Sequence, residues 1–591
     1  MADRRDVLLP RSILLAALLL AVLANVVLIS KVLGENACQP AAWLLALWQP
    51  EIWPYALWTA VLLGMLALSG HIKTPVLVVG GRVTNGVCWI IGVGSFVLGF
   101  GVAAYWGWNL RSLPPLYHDE YSYIFQAHSF LSGVASYPEP PLSEHFRQVH
   151  VISDQGIYAS RYFPGTGLWL APFVAIGWTS LSGWFAQGLI ACFTSLAAMR
   201  CGWPAGLMAG VMTACSPGLI VFSQTLLSPH PTMIGLAIGW WAFVETIATR
   251  QHRYALLSGL AIGFAFLTRP LTAVAIAGPW AMFAIKEAIG SSNRRWFITL
   301  VLSFLPAILI LGGHNQAAMG SVWVTPYSHY TEYYTPSHVY GFFNKTRSQQ
   351  GEHRPLDVSY DDWSTDLDLV GAFETTVTRI GTAFPWIGGL FPIVFMLVPG
   401  IVSILIHRDL LLLPLLSVLG LIGAYFPYFS PGIMNLGYLL EATPLVLFVA
   451  ASGMGEMIRT FRSRSCVPTV QDHLLFLPII MIGINFYTTL PPAFDRDSEI
   501  VLPRLIAEDR MRKETDLSRG RPTLILYDID RRSDLQSTWV YNDRGLRSPI
   551  LRAWSLDQDP MMKAFPDRDV WLFQDGVYHR LREADPAPAV P

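Results

Sequence analysis

The chain has 591 residues, of which 53% are hydrophobic and only 14% charged, where a soluble protein carries about 25% charged residues. That deficit excludes an ordinary soluble domain and points to a polytopic membrane protein. The formal net charge of -1 excludes a general nucleic-acid binder, and the six cysteines show neither a disulfide framework nor metal-ligand spacing.

In chain order, apolar runs long enough to span lie near 13–33, 53–70, 86–108, 184–199, 204–227, 231–249, 254–268, 270–285, 296–313, 384–406, 410–428, 433–458 and 473–490. This predicts a mainly α fold, a polytopic transmembrane helical bundle of about thirteen spans. The first run follows Arg4, Arg5 and Arg11 and is too long for a signal-peptide core, so it reads as a retained anchor. The run 166–182 is short and rich in Gly and Pro, and reads as re-entrant or interfacial. Orientation follows from Lys and Arg. With a cytoplasmic N-terminus, the short cytoplasmic connections hold Arg200, Arg250, Arg253, Lys286, Arg294, Arg295 and Arg408 among others, whereas the short outer ones hold only Arg269.

Three soluble pieces then lie outside: loops 109–165 and 314–383, and the segment from 491. The last holds sixteen of the 40 basic residues. Its runs 522–527, 569–573 and 578–581 read as strands of a small α/β or β-rich domain. The predicted organisation is N-terminal helices over 1–85, a membrane core over 86–490, a small extracytoplasmic α/β domain over 491–583, and a disordered Ala- and Pro-rich tail over 584–591.

The stretch His118-Asp119-Glu120-Tyr121-Ser122-Tyr123 sets two adjacent carboxylates just past a span. Acids at a membrane rim need a local reason. General-base or electrostatic chemistry on a membrane-presented substrate is one. Capping of a short helix by Asp119, with Glu120 in its first turn, is the other. Downstream, Tyr158-Ala159-Ser160-Arg161-Tyr162-Phe163-Pro164-Gly165-Thr166-Gly167 returns the loop to the membrane. Arg161 can fork onto a phosphate or simply snorkel, and Gly165 and Gly167 allow tight turns beside a ligand. His230, between two prolines, suits a phosphate or sugar contact as well as a kinked turn. Arg269 breaks the positive-inside trend, which an anionic headgroup or a helix-terminal contact would explain. Glu441, on one face with Tyr438, is expensive near hydrocarbon unless paired. Arg269 and Arg161 are the candidate partners. His314, His329, His338 and His353 match no compact metal motif and read as surface residues.

These motifs resemble the GT-C superfamily of integral-membrane glycosyltransferases, in particular the protein-mannosyltransferase and aminoarabinose-transferase type of bacteria. The resembling residues are Asp119-Glu120-Tyr121 with Tyr123 and Ala127, then Phe130-Leu131-Ser132-Gly133 and Tyr162-Phe163-Pro164-Gly165. Further on come Gly259, Gly263 and Phe266 to Leu271, and Gly437 to Glu441 with Pro444. The likeness spans roughly 85–460, by the order and placement of motifs that are individually weak. One departure is that Arg161 alone represents the basic residue usual near the Pro-Pro turn.

The resemblance implies a bacterial inner-membrane enzyme with its active site facing outward. The donor is a sugar on a polyprenyl phosphate, and the acceptor an extracytoplasmic glycan, lipid or protein. An acidic residue, Asp119 with Glu120 beside it, deprotonates the acceptor hydroxyl for inverting attack. Arg161, Arg269 and His230 hold the leaving phosphate, and Tyr121, Tyr162, Tyr438 and Glu441 line the substrate. No cofactor is implied; a divalent cation occurs in some relatives but is not favoured here, and no metal ligands are assigned. The rival readings are a transporter or flippase of lipid-linked saccharides, against which stands the absence of repeat symmetry, and a non-catalytic envelope scaffold.

Overall fold

Prolines set where many helices begin. Pro164, Pro217, Pro229, Pro270 and Pro326 each open a helix, where a missing N–H costs nothing. The computed structural model describes residues 85–291, 293–348, 363–388, 397, 400–401, 410–464, 483–528, 541–543 and 545–584. The expected spans at 13–33 and 53–70, parts of those at 384–406 and 473–490, His353 and the tail from 585 lie outside the described residues.

Among the described helices are α1 (Asn85–Gly107), α2 (His118–Leu131), α3 (Pro164–Ala175), α4 (Leu181–Ala198), α5 (Trp203–Ala214), α6 (Pro217–Phe222), α7 (Pro229–Thr249) and α8 (His252–Thr268). There follow α9 (Pro270–Gly290), α10 (Arg295–Met319), α11 (Pro326–Tyr334), α12 (Leu369–Gly388), α13 (Leu412–Tyr425), α14 (Thr443–Arg464), α15 (Leu502–Ser518) and α16 (Gln558–Ala564). Among the described residues six helices are long and apolar enough to cross a membrane: Gly86–Gly107, Leu181–Cys201, Pro229–Thr249, Pro270–Gly290, Arg295–Met319 and Ile433–Gly455. α7 packs on α8, and α8 on α10, while α4 packs on α1 and α5.

One expected span is corrected and another begins irregularly. The run 204–227 is not one helix, because Pro217 forces Ser216 into extended backbone (ψ 118) and separates α5 from α6. The run 433–458 opens with two 3-10 turns, Ile433–Asn435 and Leu440–Ala442, before α14 begins. The run 166–182 overlaps α3, which has 12 residues from Pro164 to Ala175, about 18 Å of helix against the roughly 30 Å of a hydrocarbon core. The expected loop 314–383 is also shorter than read, since His314 lies inside α10 and α12 starts at Leu369.

The segment 109–165 is a packed layer. Its strands β1 (Tyr137–Pro138), β2 (Val151–Asp154) and β3 (Ile157–Ser160) form an antiparallel sheet in the order β1-β3-β2. Alternation along the strands sends side chains two ways. Val151 and Tyr158 pack on Phe125 of α2, and Ile152 and Ile157 pack on Tyr330 and Tyr334 of α11. The hairpin is therefore clamped between two helices from distant parts of the chain.

Beyond 491, β4 (Thr523–Tyr527) lies between β5 (Ile550–Trp554) and β6 (Asp569–Gln574), both parallel to it, and β7 (Val577–Arg582) closes the edge antiparallel to β6. Of these strands only β5 is absent from the sequence reading. This sheet is tied to the 109–165 segment. Phe146 sits in its core with Leu524, Leu526 and Leu551, and the Trp554 indole donates to the Arg147 carbonyl at 2.7 Å.

Candidate active site

Where the 109–165 layer meets the ends of α7, α8, α9 and α13 there is a cavity of about 750 Å³. Asp119, Tyr162, Arg161, Arg269 and Tyr438 all face it. Five of the sequence candidates thus converge from four separate stretches of chain. Glu120, Tyr121, His230 and Glu441 do not line it.

The two adjacent acids part company. α2 begins at His118 with Tyr117 at its cap, so Asp119 is not the capping residue. Glu120, at the third helical position, is. Its Oε1 accepts the Leu116 and Tyr117 amides, each at 2.9 Å, and its Oε2 accepts the Leu226 amide at 2.8 Å. All three bonds go to backbone, and they fasten α2 to the connection between α6 and α7. Burial raises the Glu120 carboxyl above its ordinary value, while Arg504 and these amides oppose that. The carboxylate expected at the chemistry is thus spent on the fold.

Asp119, by contrast, keeps an edge on the cavity. The Tyr162 hydroxyl donates to its Oδ1, and the His150 Nε2 stands 3.5 Å from its Oδ2. Burial works against the ionised form, but the contacts to His150 and the Tyr162 hydroxyl favour it and hold Asp119 below the usual carboxylate range.

Arg161 is packed into an aromatic cage, its guanidinium carbon 4.5 Å from the Tyr327 ring centroid and 4.3 Å from that of Tyr330. Its Nη1 lies 3.3 Å from the His150 Nδ1, and its Nη2 donates to the Thr331 hydroxyl at 3.2 Å. It is buried and facing the cavity rather than snorkelling.

Arg269 faces the opposite wall. It pairs with Glu441, donates to the Gly437 carbonyl at 3.2 Å and to the Tyr425 hydroxyl at 3.3 Å, and lies 5.2 Å from the Tyr438 ring centroid. Of the two partners open to Glu441 in the sequence, it is Arg269 that makes the pair, and Glu441 is wholly buried behind it.

The remaining candidates serve elsewhere. Tyr121 packs on Tyr541 with ring centroids 4.8 Å apart. His230 is buried in the first turn of α7, where its neighbours Ser228 and Pro229, not the imidazole, form the cavity wall. Gly165 and Gly167 are not in turns but in α3. A Cβ at Gly165 would stand 2.6 Å from the Leu267 and Thr268 backbone, and one at Gly167 would stand 2.5 Å from the Gln126 amide oxygen, so both serve close helix packing. His314, His329 and His338, expected on the surface, are buried. His329 reaches Asp154 at 3.0 Å, and His338 lines the cavity.

Sequence reasoning missed His150, Tyr327 and Tyr330. The two tyrosines stand three apart on α11, a helical stripe of aromatics that periodicity alone could have flagged. His150 carries no such signal.

Among the described residues no cluster of three metal-binding side chains occurs. No family model matches the sequence, and no curated protein matches it significantly. Among solved structures the chain is similar to ArnT from Cupriavidus metallidurans bound to undecaprenyl phosphate, at 12% identity over 81% of this chain and 93% of that one, with a TM-score of 0.49. The same protein in the apo state gives 11% identity over 82% and 93%, with a TM-score of 0.45. The arabinofuranosyltransferase AftD from mycobacteria gives 11% identity over 84% of this chain and 36% of that one, with a TM-score of 0.36.

Proposed function

We propose that this protein is a membrane glycosyltransferase of the GT-C type, moving a sugar from a polyprenyl-phosphate donor to the hydroxyl of an extracytoplasmic glycan, lipid or protein. The observation that carries the proposal is the pairing, across one cavity at the helix ends, of a partly exposed carboxylate with two arginines held by aromatic rings. A phosphate leaving group needs fixed cations, and an attacking hydroxyl needs a base that does not neutralise them.

In this reading Asp119 takes the acceptor hydroxyl proton while that oxygen bonds to the anomeric carbon. The carbon–oxygen bond to the phosphate breaks, and its electron pair leaves with the polyprenyl phosphate, held by Arg161 and Arg269. Attack opposite the leaving group inverts the anomeric centre. In this reading the acceptor hydroxyl approaches Asp119 Oδ1 beside the Tyr162 hydroxyl that donates to it. The donor carries its own activation, so no nucleotide is needed. The cavity, the layer 109–165 and the sheet domain 491–583 face the extracytoplasmic side of a bacterial inner membrane in a bundle of about thirteen spans.

Comparing lipid-linked sugars and envelope glycans in cells with and without the protein tests this. Loss of the protein should accumulate one polyprenyl-phosphate sugar and remove the matching sugar from one envelope component. Unchanged levels of both would sink the proposal, and a lipid-linked sugar trapped on the cytoplasmic face would favour a flippase instead.

A further inference from the structure

His150 is a tightly held polar residue on the cavity wall, and nothing in its sequence context marks it. Its backbone is left-handed, at φ 65, a region only sparsely occupied by residues other than glycine and held in place only where the surroundings demand it. Three bonds supply that demand. The His150 amide donates to the Tyr330 hydroxyl at 3.0 Å, and its carbonyl accepts the Ser122 hydroxyl at 2.6 Å and the Arg161 amide at 3.1 Å. The result is an imidazole, 2% exposed, set between Arg161 and Asp119.

The chemistry of its two neighbours fixes its proton. A guanidinium can only donate, so the His150 Nδ1, 3.3 Å from Arg161 Nη1, is an acceptor. The ring hydrogen is then on Nε2, which faces Asp119 Oδ2 at 3.5 Å. From this geometry we infer that His150 is a positioning residue for the base, its tautomer set by Arg161 so that Nε2–H holds Asp119 Oδ2 and keeps Oδ1, which also accepts the Tyr162 hydroxyl, turned toward the acceptor. This deepens the proposed function and rests on Asp119 being the base.

The groups facing the imidazole are Asp119 from α2, Arg161 and Tyr162 from the stretch after β3, and Tyr330 from α11. Burial, and Arg161 beside it, keep the ring's proton affinity below that of a free histidine despite Asp119. With Nδ1 accepting from Arg161 the ring carries one hydrogen, on Nε2, and Arg161 keeps its charge for the donor phosphate. A direct Arg161–Asp119 ion pair would cancel both groups, whereas the interposed imidazole links them and leaves each available.

Two substitutions separate the two contacts. His150→Asn suits left-handed backbone and retains an acceptor for Arg161, but it is too short to reach Asp119. His150→Gln sets an amide N–H where Nε2 stands. Full-length protein in detergent is assayed over a pH series for transfer from the polyprenyl-phosphate sugars of the host membrane, with Asp119→Asn in parallel and undecaprenyl phosphate as the binding probe. His150→Asn should lower kcat about tenfold or more, leave undecaprenyl phosphate affinity within about twofold, and move the acid limb to higher pH, because Asp119 has lost a donor. His150→Gln should recover kcat to within about threefold of wild type. Wild-type kcat and an unmoved acid limb in His150→Asn, with Asp119→Asn inactive, would overturn this inference and leave the proposed function standing. An equal fall in both His150 variants with an unmoved acid limb would make the residue one of packing and overturn it too. Full transfer by Asp119→Asn would instead remove the proposed function itself.

Discussion

The two walls of the cavity use the same residue types to opposite ends. On one, Arg269 and Glu441 make a direct ion pair with the carboxylate wholly buried. On the other, Arg161 and Asp119 are separated by His150, and the Asp119 side chain stays 28% exposed. A direct pair largely cancels its charges and locks the helix ends together. An imidazole between them leaves a cation and an anion that can each meet a different substrate group. The same difference recurs within one dipeptide, where Glu120 is saturated by three backbone amides and Asp119 is not.

Breaking the buried pair should have the largest effect on stability. Glu441→Gln leaves Arg269 buried without its counter-charge and should cost about 3–5 kcal/mol, read as a lowered midpoint of thermal unfolding in detergent. A midpoint equal to wild type would erase the distinction between the walls. Glu120→Gln comes next. It puts an amide nitrogen against backbone donors and should cost about 1–3 kcal/mol, while the folded fraction keeps its kcat. A specific loss of kcat at unchanged stability would return Glu120 to the chemistry.

Arg161→Lys should weaken undecaprenyl phosphate binding about tenfold, since a point charge cannot copy the fork, and should disturb the unfolding midpoint less than Glu441→Gln does. Equal affinity for wild type and variant would place the phosphate at Arg269 alone. The smallest effect concerns pH. His150 titrates below its unfolded value of about 6.5, so between that value and its own lower one the unfolded chain binds a proton that the folded chain does not. Stability should therefore fall as pH drops through that window. His150→Gln should flatten this part of the stability–pH curve, and an unchanged slope would mean that His150 does not titrate there.

The charged half of this site was legible in the sequence because charge beside hydrocarbon is costly and conspicuous. Asp119, Arg161, Arg269 and Glu441 stood out for that reason, and so did the pairing options for Glu441. The rest depended on how the 109–165 layer folds. His150 and Tyr330 meet only once the hairpin β2–β3 is clamped between α2 and α11, a contact between segments that local pattern does not encode. The same limit hid the partner of His329 and the insertion of Phe146 into the C-terminal sheet. Which of two neighbouring acids caps the helix depended on where α2 starts, a boundary that propensity leaves open by a residue or two. No described residue beyond 491 lines the cavity, and the C-terminal sheet is tied to the 109–165 segment through Phe146 and Arg147.

The central claim is that Asp119 performs the chemistry while Arg161 and Arg269 hold the donor phosphate. Asp119→Asn keeps the shape of the side chain and its bond to Tyr162 but removes the base. Undecaprenyl phosphate affinity and sugar transfer, measured on one preparation of this variant, test the claim most directly. The account predicts affinity within about twofold of wild type and transfer reduced by about 10²-fold or more. Transfer at the wild-type rate would contradict it.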